Sequence, residues 1–239
     1  MVSESFDTET TMPNDKQWCF AWIQPSAATQ GQTRAALVKA DRWAPGDIIT
    51  VSFLDGDRAV QDKVQAVASE WTVPGLANLK LSFRRDTTDT MIRISFKYDG
   101  SWSTIGRSCT QVPKGQPTMN YGWLTPTTPT DELRRVVLHE FGHALGLIHE
   151  HQNPAGGIQW NRPAVYRELS GPPNNWSKEE IDSNMFDAYD RKETNFTDTD
   201  ASSIMMYPIP ASWTTNGFTV GLNGELSPTD KAFIQTQYP

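Results

Sequence analysis

His139, Glu140, His143 and His149 carry the residue types and the spacing of a metal-dependent hydrolytic site. On an α-helix, residues four apart share a face, so His139 and His143 can point at one ion. Glu140 follows the first histidine and reaches the open side of that ion. Gly146 is placed to end the helix, because glycine tolerates the left-handed backbone of a sharp turn. The chain can then double back and deliver His149 as third ligand. Three protein ligands leave a fourth position for water, the catalytic and not the structural arrangement of zinc. One zinc per chain is the expected cofactor. The competing reading is a surface helix with scattered histidines. Against it, all four histidines of the chain lie between positions 139 and 151.

The helix that must carry these groups is expected to begin near Thr130 as N-cap, with Asp131 and Glu132 in its first turn. Leu133, Val136, Val137, Leu138, Phe141 and Leu145 make it apolar nearly all round, the mark of a buried helix. Upstream, Ile49, Val51 and Phe53 alternate as in a strand. Asp57 is a candidate cap for an amphipathic helix carrying Val60, Val64, Val67 and Trp71. Four further extended stretches follow, around Leu79–Phe83, Ile92–Phe96, Trp102–Ile105 and Met119–Trp123. Downstream the chain is rich in loops. Short helices are expected near Pro163–Leu169 and after Ser177, which can form a capping box with Glu180. Ser227-Pro228 opens a last helix ending near Tyr238. The Asp/Thr cluster at 194–200 lacks the regular ligand spacing of a calcium loop and reads as a solvated loop.

The chain has 239 residues, 37% of them hydrophobic, with nine tryptophans, enough for one large domain or one domain of two lobes. Residues 1–42 form an N-terminal extension or a possible pro-segment, with an aromatic patch at Trp18–Ile23 expected to pack on the body. Residues 43–239 are expected to form the main body. The net charge of −7 disfavours nucleic acid and anionic membranes as partners, and a monomer is expected. No run approaches the ~20 apolar residues of a membrane span. Met1–Gln17 lacks the apolar core of a secretory signal. Cys19 and Cys109 leave three readings open: a disulfide, two buried thiols, or Cys19 as a thiolate occupying the open zinc position.

Ser203-Ile204-Met205-Met206-Tyr207-Pro208 is, by itself, a short apolar segment ended by proline. Together with the zinc motif it resembles the Met-turn of the metzincin metallopeptidases. The resemblance implies that Met205 lies beneath the zinc as an apolar floor. Tyr207, two residues on, resembles the mobile tyrosine of astacins and serralysins, which hydrogen-bonds the developing oxyanion; the competing reading is a packed tyrosine. Glu150 after the third histidine, and the stretch Trp102–Arg107, also resemble astacins. The stretch is similar to the strand at the upper rim of the astacin cleft, which binds substrate by strand addition. Ser101, the continuation His151-Gln152-Asn153-Pro154 and Met206 depart from the astacin pattern and mark a distant, microbial-type relative.

The resemblance implies an α+β fold: a two-lobed metzincin-like catalytic domain at 43–239, its upper lobe at about 43–148 and its lower lobe at about 149–239, with a twisted five-stranded mixed sheet, a backing helix, an active-site helix and a loop-rich lower lobe ending in a helix. It implies a zinc endopeptidase acting on a protein or peptide substrate bound along Trp102–Arg107, and export from the cell, although no signal is recognisable in the chain. With zinc supplying an acidified water, Glu140 acts as general base and returns the proton to the leaving amine, while Tyr207 donates to the oxyanion. Two alternatives remain beside it: a catalytically silent zinc-binding module, and a zinc amidase acting on a non-protein, cell-wall amide.

Overall fold

The computed structural model describes residues 19–22, 41–153, 156–172, 174–187 and 199–239. Calcium binding by the Asp/Thr cluster falls largely outside them. The sheet runs through β1 (Cys19–Trp22), β2 (Ile48–Phe53), β3 (Lys80–Arg84), β4 (Ile92–Ser95), β5 (Ser101–Thr104) and β6 (Met119–Tyr121). Its spatial order is β1-β5-β6-β4-β2-β3. Strands β3, β2, β4 and β6 run parallel, whereas β5 is antiparallel to β6 and parallel to β1. The five extended stretches expected from the sequence are therefore strands, and a sixth from the N-terminal extension joins them.

That sixth strand bears on where a substrate could add to the sheet. Strand β5 does not end the sheet: Cys19–Trp22 pair with Ser101–Thr104 in register, so the rim expected to receive substrate is covered. The physical reason is that a bare strand edge offers a row of unpaired N–H and C=O groups, and the first extended segment able to reach it satisfies them. The strand also stops at Thr104; beyond Ile105 the chain turns into a 3-10 segment, Gly106–Gln111.

The helices are α1 (Arg58–Ala68), α2 (Thr130–Ala144), α3 (Arg162–Leu169), α4 (Lys178–Ile181) and α5 (Pro228–Gln237). Asp57 caps α1 by accepting from the Ala59 N–H, as the sequence indicates. Helix α2 starts one residue differently: its cap is Pro129, which makes no side-chain bond, and Thr130 is already helical. Helix α2 packs against both α1 and β5. Trp71, in the 3-10 turn after α1, is fully buried and donates from Nε1 to the Leu138 carbonyl at 3.0 Å. No helix among the described residues is long and apolar enough to cross a membrane. Cys109 is a free, buried thiol, pushed up to about 12 by desolvation, and the Cys19 side chain lies outside what the structure describes.

Candidate metal centre

Helix α2 ends inside the protein, where its last carbonyls need partners. The Leu145 N–H caps Phe141, and a left-handed Gly146 (φ 98°) lets the chain reverse. The Gly146 N–H then bonds the His143 carbonyl at 2.8 Å and the Leu147 N–H bonds that of Gly142 at 2.9 Å, a Schellman arrangement. Trp43 Nε1 donates to the Ala144 carbonyl (2.8 Å), and the Tyr238 hydroxyl donates to that of Leu145 (2.6 Å). Side chains from the two ends of the domain thus seal the turn that delivers His149.

The three histidines meet as the sequence indicates. His139, His143 and His149 are buried, and their ligand atoms lie within 4.8 Å of one another. Each ring is held by its Nδ1. His139 pairs with the Ile204 carbonyl (2.8 Å), His143 with the Leu147 carbonyl (2.9 Å) and His149 with Gln152 Oε1 (3.3 Å). Carbonyl and amide oxygens only accept, so each Nδ1 carries the proton and each Nε2 presents a bare lone pair. His143 Nε2 and His149 Nε2 then face each other at 3.1 Å, and the buried His139 Nε2 has no hydrogen-bond partner. Converging lone pairs without a donor between them fit a cation. Tetrahedral zinc with Zn–N of about 2.0–2.1 Å would hold such atoms ~3.3 Å apart. Burial lowers all these histidines: His143 falls to about 4, and His139 and His149 well below the usual value. They are therefore neutral at pH 7, as ligands must be.

Glu140 is fully buried on α2 beside His139. Gly142, between His139 and His143, accommodates Met205: a Cβ there would lie 2.3 Å from Met205 Sδ. The Tyr207 ring lies 4.3 Å from that of His149, 5.9 Å from His139 and 4.6 Å from His151. Glu150 is pushed up to about 7 by burial and accepts from Asn153 Nδ2 and the Asp200 N–H, both at 3.0 Å.

Two residues near the centre, Asp230 and Gln152, escaped sequence reasoning. Asp230, in the capping box of α5, also accepts from the Ile204 N–H at 2.8 Å and from Ser203 Oγ at 2.7 Å. It thereby fixes the peptide segment whose carbonyl holds His139. Gln152 holds His149. His151 bonds the Asn184 carbonyl through Nε2 at 2.7 Å and stacks on His149, so it is no ligand. Only the position of Gln152, three residues after a ligand, is a local signal; the Asp230 contact spans 26 residues.

No family model and no curated protein matches the chain. Two solved structures of myroilysin do. One is 43% identical, covers 84% of this chain and 97% of its own, and superposes with a TM-score of 0.81. The other is 42% identical, covers 84% and 86% respectively, and gives a TM-score of 0.64.

Proposed function

The chain belongs to the family of myroilysin, and on that premise we propose that it is a zinc-dependent endopeptidase, an astacin-like metzincin, with His139, His143 and His149 as the zinc ligands. The family likeness points to a metallopeptidase. The observation that carries the finer reading is the convergence of three neutral imidazole nitrogens beside a buried glutamate on the same helix. Met205 against Gly142, and Tyr207 against the His149 ring, support the assignment of 203–208 to a Met-turn.

Zinc, when bound, supplies a water acidified toward a pKa of about 7 and polarises the substrate carbonyl. The chain's residues do the rest. Glu140 accepts a proton in its buried site and returns it to the leaving amine. The Tyr207 hydroxyl donates to the charge that develops on the carbonyl oxygen. Peptide substrate binds along Trp102–Arg107 by strand addition once β1 has left the edge of β5 that it holds.

The test pairs metal analysis of the purified protein with cleavage of denatured casein in the presence and absence of o-phenanthroline. One zinc per chain and chelator-sensitive cleavage are expected. Zinc without cleavage of any protein or peptide would favour a non-protein amide or a silent module, and absence of zinc would overturn the reading.

A further inference from the structure

The three ligand rings are not held alike. His139 and His143 lean on main-chain carbonyls, of Ile204 and Leu147, which cannot rotate away. His149 leans on a side chain, Gln152. That side chain is 5% exposed and tethered at its other end: its Nε2 donates to the Ser183 carbonyl at 2.8 Å and to the Asp187 carbonyl at 3.0 Å. Two carbonyl acceptors fix the amide's orientation, so Oε1 and not the NH2 group must face His149. The carbonyls are available because residues Asp182–Phe186 form a π turn, in which the Asp187 N–H bonds back to Asp182, five residues away. The same turn offers the Asn184 carbonyl to His151. The segment after the third ligand is thus strapped to 183–187 at three carbonyls.

We propose that Gln152 is the positioning residue of the third metal ligand. Its oxygen holds the His149 ring with Nε2 turned into the centre, and its amide couples that ring to the turn at 183–187. A ring held through its second nitrogen has a set tautomer and a reduced orientational freedom, and loss of such a partner weakens metal binding by about 10- to 100-fold. The proposal rests on His149 being a zinc ligand.

The experiment measures zinc affinity of the full chain by competition with a chromophoric chelator, together with amide exchange of residues 182–187 with and without zinc. Gln152→Leu, which removes both ends of the amide, is expected to weaken zinc binding by about 10- to 100-fold. It should also abolish any slowing of exchange at 182–187 on zinc addition. Gln152→Glu keeps the acceptor for His149 but loses both donors. It is expected to bind zinc no more weakly than the parent, while exchange at 182–187 quickens. Parental zinc affinity in Gln152→Leu overturns the proposal. So does a loss of about 10- to 100-fold in Gln152→Glu relative to the parent, a test that stands even if the leucine variant fails to fold. His149→Ala serves as the control: if it binds zinc as tightly as the parent, the ligand assignment itself falls, and Gln152 is not the cause.

Discussion

Glu140 and Tyr207 differ in what surrounds them, and that difference shapes how each can be tested. Glu140 is fully buried on the ligand-bearing helix. Glu140→Gln preserves shape and removes the proton acceptor. Zinc content should be unchanged and peptide turnover should fall by about 10²- to 10⁴-fold, the usual worth of a positioned acid–base group. A near-parental rate on a fluorogenic peptide would remove Glu140 from the mechanism. Tyr207 is packed among three imidazoles through its ring, so Tyr207→Phe keeps that packing and deletes only the hydroxyl. Turnover should drop by about 10²-fold with zinc content and KM little changed, as when one oxyanion donor is lost. An unaltered kcat would leave Tyr207 with a packing role alone.

At the scale of elements, helix α2 is held as a rigid rod whose buried end is capped by Trp43 and Tyr238 and whose flank at Gly142 accepts Met205. Gly142→Ala sets two effects in opposition. Alanine favours a helix over glycine by about 1 kcal/mol. Its Cβ, however, would stand 2.3 Å from Met205 Sδ, and Met205 is 1% exposed, with little room to retreat. Overpacking costs about 1–3 kcal/mol, so the collision should win. A fall of roughly 2–4 °C in melting temperature per kcal/mol is expected by calorimetry, with weaker zinc retention because the displaced segment includes Ile204, the partner of His139. A rise in melting temperature would show that Met205 yields and helix propensity decides.

Across the whole molecule, the N-terminal extension is expected to govern access to the site, and the cluster of buried histidines its stability in acid. Because β1 occupies the edge of β5, removal of residues 1–42 should raise the rate of peptide cleavage at constant zinc content. Equal rates before and after trimming would show that this pairing does not limit access. The histidines also make the zinc-free protein acid-sensitive. Unfolded, they take up protons near 6.5; folded, His143 and His151 do so only at about 4, because burial disfavours the cation. The unfolded state therefore binds more protons between these values, and stability present above about 6.5 is lost as pH falls toward 4. Glu150 acts oppositely, since its raised carboxyl makes a contribution that fades as pH rises through about 7. Melting temperatures of the zinc-free protein should decline from pH 6.5 toward pH 4, and a flat profile would contradict the burial seen for these rings.

The amino-acid sequence by itself determined the parts whose geometry is local. The i, i+4 pairing of His139 with His143, the reversal at Gly146 and the return of His149 need only one helix and one turn, so periodicity and spacing reveal them. The same holds for the extended stretches of β2 to β6, the capping box at Ser177 and the N-cap at Ser227. Tertiary structure decided what depends on partners far along the chain. The pairing of β1 with β5, the hold of Asp230 on Ile204, and the closure of α2 by Trp43 and Tyr238 join segments up to about a hundred residues apart. A buried donor or acceptor must find a partner, but nothing in its own neighbourhood of sequence says which one. Gln152 stands between the two cases. Its place three residues after His149 is a local signal, whereas the carbonyls that orient it exist only because a turn 31 to 35 residues later folds against it.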